Sequence, residues 1–192
     1  MMDRIIAAFT FKPGVYKEVE DDTSFTSTAW MIVAVVAFLS GLGSTAAAAS
    51  GFGFRWIFGA IFAALFSVGG FALGAFVIGW AGKTFFNADV TFDELVRTLG
   101  LAYVWNVVQF LNIITLAGSG LRWISRPITF LAGLAGLFAW FMAAKEALDL
   151  EWPQTIGTVI IGWVAMAIVT AIASGLLAVF GLVGVRALVG AL

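Results

Sequence analysis

Long apolar stretches separated by short clusters of polar and charged residues dominate the chain. Crossing about 30 Å of hydrocarbon takes about 20 helical residues. Five stretches meet that length, near residues 29–49, 56–82, 98–117, 127–145 and 154–180. An open chain in lipid satisfies its amides only as helix, so all five are read as α-helices. The pattern predicts an all-α, polytopic integral membrane protein. An interfacial segment over 1–28 precedes a five-helix transmembrane domain over 29–192. Beyond Pro153 the apolar run continues to Leu192 with Arg186 as its single charge, too long for one perpendicular span and short for two plus a turn. The expectation is an amphipathic or frayed tail after about residue 180; a sixth span, partly inserted after Ser174-Gly175, is the alternative.

Local signals at the boundaries agree with this division. Thr91-Phe92-Asp93-Glu94 predicts a capping box, with Val90 and Leu95 as its hydrophobic staple, so the third helix starts in water before it enters lipid. Pro127 and Pro153 are expected at helix starts, where a missing N–H costs little. Gly69 and Gly70 mark a possible kink in the long second span. Trp30, Trp56, Trp80, Trp123 and Trp152 lie near span ends, as an interfacial aromatic belt requires. At the N-terminus, Ile5 to Phe11 is too short for a signal-peptide core and Asp3 stands where a basic residue belongs, so no cleavable signal is expected. Ile5, Ile6 and Phe9 either rest on the membrane surface or belong to a mobile apolar terminus, before Pro13-Gly14 turns the chain.

Composition sharpens this picture. Of 192 residues 62% are hydrophobic and 11% charged, which excludes a soluble monomer. The formal net charge of −1 leaves no basic excess for nucleic acid. There is no cysteine and no histidine, which removes disulfides, thiol nucleophiles, thiolate or imidazole metal sites and serine–histidine triads. Neither cofactor nor metal is expected. With five spans, one side carries Arg4, Lys12, Lys17, Lys83, Arg97, Lys145 and every acid, and the other carries Arg55, Arg122, Arg126 and Arg186. Counting basic residues alone, the positive-inside rule favours a cytoplasmic N-terminus by six to four.

Span centres hold no ionisable residue, which argues against a proton or ion pathway. An intramembrane enzyme is disfavoured for the same reason. Polar residues concentrate in the third span as Tyr103, Asn106, Gln109 and Asn112. At about 100° per residue the three amides cover roughly a third of the circumference, a slowly rotating stripe. It serves either interhelical hydrogen bonding or a polar cavity. The acids and their neighbours, Glu18, Glu20, Asp21, Asp22, Asp89, Asp93, Glu94, Lys145, Glu146, Asp149 and Glu151, form a candidate cytoplasmic interaction face. Gly59 with Ala63, Gly70 with Gly74, and Ala132, Gly136 and Trp140 along one face point to close helix packing. A weak echo between Trp80–Lys83 and Met142–Lys145 reads as basic punctuation at a membrane exit more simply than as a repeat.

Three segments carry a family resemblance: Phe11-Lys12-Pro13-Gly14-Val15-Tyr16-Lys17-Glu18 with Asp21 and Asp22; Val90-Thr91-Phe92-Asp93-Glu94-Leu95-Val96-Arg97 running into Gly100-Leu101-Ala102-Tyr103; and Trp140 through Lys145-Glu146-Ala147-Leu148. Together with the layout they resemble the YIP family, five-span Ypt/Rab-interacting-protein-like membrane proteins, in its short prokaryotic form. The chain departs from that family at Val104-Trp105, where a proline is usual, and lacks the Asp-Leu-Tyr-Gly-Pro type motif, so Rab binding is not carried over. The resemblance implies a cytoplasmic N-terminus, a helical bundle in the inner membrane and a non-enzymatic role in membrane organisation or protein interaction. A membrane-protein partner or a second copy is the expected binding partner. A small channel or transporter using the third-span stripe is the alternative.

Overall fold

The computed structural model describes residues 1–46 and 53–164, apart from the side chain of Arg55. Every regular element among the described residues is helical. Two short helices, α1 (Met2–Phe9) and α2 (Val15–Asp21), precede α3 (Phe25–Ala46) and the continuous α4 (Phe54–Phe86). The next crossing is composite: α5 (Phe92–Ala102) runs into a 3₁₀ segment over Tyr103–Leu116. A 3₁₀ turn at Ser119–Leu121 leads to α6 (Arg122–Leu148), and residues 152–164 begin a further helix, α7.

Among the described residues, four helical stretches are long and apolar enough to cross a membrane: Phe25–Ala46, Trp56–Phe86, Phe92–Leu116 and Ser119–Leu148. Only 28–39% of the 18-residue apolar stretch within each is buried, so the remaining apolar surface needs lipid around it. The chain is a multi-span membrane protein. Of the fifth expected span, 154–180, the structure covers residues through 164; its remainder, Ser174-Gly175, Arg186 and the tail after residue 180 lie outside the described residues.

Two sequence expectations are corrected. The third crossing is not α-helical throughout, since its 14 residues from Tyr103 to Leu116 wind as a 3₁₀ helix. Pro127 does not start its helix, because α6 begins five residues earlier at Arg122 and holds the proline inside. α4 passes Gly69 and Gly70 without interruption.

Capping chemistry sets several boundaries. Thr91 and Glu94 form the reciprocal capping box of α5, and the staple residues Val90 and Leu95 are both buried. α4 and α6 stop at left-handed Asn87 and Asp149, residue types that tolerate this conformation. Phe11, between α1 and α2, also has a positive φ of 51°, a strained choice for a bulky side chain. Aromatic contacts hold it there: Phe11 stacks on Trp105 at 5.3 Å and meets Phe138 edge-on at 5.4 Å.

α3 packs on α4, α5 and the 3₁₀ segment, and α6 packs on α5 and the same segment. Missing side chains make these approaches possible. A Cβ on Gly41 would stand 2.7 Å from the Ala60 carbonyl oxygen, and one on Gly43 would collide with the Gln109 carbonyl. Gly136 faces Trp105 at a similar separation, whereas Gly70 and Gly74 meet nothing.

Candidate functional site

Successive antiparallel crossings bring the start of α3, the end of α4, the start of α5 and the end of α6 to one end of the bundle, with α1 and α2 docked there. All eleven acidic residues lie in these segments. The three segments of the family resemblance meet at this end in one core, where Val15, Tyr16 and Val19 join Leu95, Val96, Leu99, Ala144, Ala147 and Leu148. Burial pushes the Tyr16 hydroxyl well above the usual tyrosine range.

Arg97 ties this end together, a role that its position among other surface charges did not reveal. It is only 4% exposed. Its Nε and one terminal nitrogen donate to the Glu20 carbonyl at 2.9 and 2.6 Å, and the other terminal nitrogen donates to Thr26 Oγ1 at 3.2 Å. One side chain of α5 thereby fixes the end of α2 and the first turn of α3.

Several residues of the expected interaction face are engaged within the chain. Arg4 donates to Glu18 at 2.8 Å and to Asp22 at 2.7 Å, which clamps α1 onto α2. The Ser24 hydroxyl and the Arg4 guanidinium hold the Asp22 carboxyl below the usual carboxylate range. Lys17 donates to Glu20 at 2.9 Å and reaches Asp149 at 3.4 Å. Burial raises the Glu20 carboxyl above its ordinary value, although Lys17 pulls it back. Glu94 is used by its capping box.

Asp21, Asp89, Asp93 and Glu151 remain exposed, and Glu146 is half-buried. Glu146, Asp149 and Glu151, with Lys145, Trp152 and Pro153, wall an open cavity of about 420 Å³. Lys145 Nζ lies 5.9 Å from the Trp152 ring centre, a cation–π contact at its rim. Among the described residues no group of carboxylates is arranged to hold a metal ion.

The third-span polar residues occupy the 3₁₀ segment. Tyr103, Asn106, Gln109 and Asn112 recur every third position, and Thr115 continues the series. With about three residues per turn, residues so spaced eclipse one another. The rotating stripe expected of an α-helix is therefore a straight row. Asn106 is exposed, Gln109 and Asn112 are half-buried, and Asn112 Nδ2 donates to Gln109 Oε1 at 3.1 Å. Tyr103 packs edge-on against Phe71 at 5.5 Å. Asn112 and Thr115 border a cavity of about 160 Å³.

Of the expected aromatic belt, Trp80, Trp123 and Trp152 are exposed. Trp56 donates to the Leu42 carbonyl at 3.0 Å, and Trp30 packs on Phe71 at 5.7 Å, so both tie helices together. In α1, Phe9 turns inward to Trp105 at 5.0 Å while Ile6 stays exposed.

The chain matches no protein-family model, no curated protein sequence and no solved structure.

Proposed function

We propose that this chain is a non-enzymatic membrane scaffold of the YIP type, with five spans, a cytoplasmic N-terminus and a place in the inner membrane, which docks a basic segment of a membrane-protein partner or a second copy. The carrying observation is the acidic end. Internal ion pairs and the capping box engage Glu18, Glu20, Asp22, Asp149 and Glu94, yet Asp21, Asp89, Asp93, Glu146 and Glu151 carry no ion pair among the described residues. A cavity walled by three acids, with Lys145 and Trp152 at its rim, keeps an excess of negative charge that suits a lysine or arginine side chain. Convergence of the three family-like segments on this end supports the same reading.

Photo-crosslinking from position 151 in native membranes tests it. A discrete adduct is expected, lost on charge reversal at Asp89, Asp93 and Glu146. Absence of any adduct, or one indifferent to that reversal, overturns the proposal.

One observation favours a second reading, a conduit for a small polar solute. The polar row is straight and ends at a cavity bordered by Ser44, Asn112, Thr115 and Ser125. Replacing Asn106, Gln109 and Asn112 by leucine separates the two readings. A conduit loses flux in proteoliposomes, while a scaffold keeps its crosslink.

A further inference from the structure

Arg122 and Arg126 stand one turn apart in the first two turns of α6, at the end of the bundle opposite the acids. Both border two adjoining cavities. The inner one, about 160 Å³, lies between α3, the 3₁₀ segment and α6, and its wall includes Ser44, Asn112, Thr115 and Ser125. The outer one, about 340 Å³, is completed by Ser119, Trp123 and Pro127.

Ser125 is decisive. It is wholly enclosed (0% exposed), and its hydroxyl has no hydrogen-bond partner among the described residues. An enclosed hydroxyl without a partner is costly, so it calls for a ligand that accepts its proton. Asn112 gives one amide proton to Gln109 and retains a second. The Ser44, Thr115 and Thr129 hydroxyls already donate to helix carbonyls. What the cavity offers a ligand is therefore the Arg126 guanidinium, an amide N–H and a buried hydroxyl, with Arg122, itself engaged within the chain, adding positive charge to the wall. They sit at the positive end of the α6 dipole. The sequence places no Asp or Glu between Leu95 and Lys145, so this stretch brings no carboxylate to compete.

We propose that this cleft binds a phosphoryl oxyanion, held by Arg126 and Ser125 in the inner cavity, beside the positive charge of Arg122, and admitted through the outer one. The inner volume of 160 Å³ is sized for a tetrahedral oxyanion. Organic ligands fill pockets of about 300 Å³ and more. Trp123, 87% exposed beside the outer cavity, stands where an interfacial tryptophan meets lipid headgroups. The phosphoryl group belongs either to an anionic phospholipid or to free phosphate, and the experiment distinguishes them.

The full chain in neutral detergent is titrated in parallel with phosphatidylglycerol, with phosphatidylcholine as control, by native mass spectrometry, and with inorganic phosphate by calorimetry. Preferential retention of phosphatidylglycerol identifies the lipid headgroup, and phosphate binding alone identifies the free anion. In either case R126Q is expected to weaken binding about tenfold and S125A several-fold, because charge-assisted bonds are the stronger ones. S125A removes one oxygen from an enclosed wall and preserves the fold, which keeps the test independent of stability. Binding of neither probe overturns the proposal. So does equal affinity of wild type, R126Q and S125A.

Discussion

Replacing Gly43 by alanine probes the tightest of the glycine contacts between helices among the described residues. The added Cβ would overlap the Gln109 carbonyl oxygen and stand 2.7 Å from its carbon and 2.9 Å from the Phe110 Cα. Unstrained carbon contacts lie at about 3.5–4.0 Å, so α3 and the 3₁₀ segment must separate by roughly 1 Å or more. Overpacking of this kind costs about 1–3 kcal/mol. Backbone atoms cannot rotate away as a side chain does, which puts Gly43→Ala near the upper end, at about 2–3 kcal/mol. The detergent-unfolded state keeps its helices, so alanine's better helix propensity offsets little of this. Gly133 on α6 is the control, because a Cβ there meets nothing within 4 Å. Titration with sodium dodecyl sulfate in mixed micelles, followed by tryptophan fluorescence, should move the Gly43→Ala midpoint strongly down and leave Gly133→Ala within about 0.5 kcal/mol of wild type. Equal midpoints for the two variants would refute the close approach.

Three further outcomes are expected. Arg97→Met keeps much of the side-chain volume but strips the buried Glu20 carbonyl of its two donors, at a cost of about 1–3 kcal/mol, and α2 should become protease-sensitive before the spans unfold. Thr91→Ala removes half of the capping box and should lower stability by about 1 kcal/mol, measured in the same detergent titration. The lowered Asp22 carboxyl contributes stability that is complete above the ordinary aspartate value and is lost as pH falls through its depressed folded value. Glu20, raised by burial, has the opposite sign: its ionised form opposes folding, and acidification through its raised value relieves that cost. A spin label on α1 should therefore stay immobile from pH 7 to about 5 and loosen near and below about pH 4. Asp22→Asn should already be looser at neutral pH and flatten this dependence, and an unchanged profile would count against the Arg4 clamp.

What the chain discloses by itself depends on how local the governing physics is. Four of the expected crossings are visible as helices because lipid demands uninterrupted apolar length, and the capping box is visible because four consecutive residues determine it. The polar series was equally plain in the letters. Read at 3.6 residues per turn it became a rotating stripe, whereas its spacing of three already matches the 3₁₀ winding seen over Tyr103–Leu116. Long 3₁₀ runs are uncommon, so a spacing of three does not by itself distinguish this winding from an α-helix. Arg97 looked like one more charge beside the membrane because its acceptor, the Glu20 carbonyl, lies 77 positions away. Ion pairs such as Lys17 with Asp149 also depend on tertiary docking, so sequence grouping overstated how many acids face outward. The enclosed Ser125 hydroxyl was illegible for the same reason, since its surroundings come from three separate helical stretches.

The 3₁₀ winding of the third crossing also sets its length and twist. At about 2.0 Å per residue its 14 residues extend about 28 Å, where an α-helix of equal length would extend about 21 Å. Rewinding the segment would draw its far end back by about 7 Å and turn it by roughly 280° relative to α5. Tyr103 would hardly move, while Asn112 and Thr115 would sweep around the axis. The crossing is thus a screw whose near end is anchored by α5 and whose thread carries every amide of the polar row.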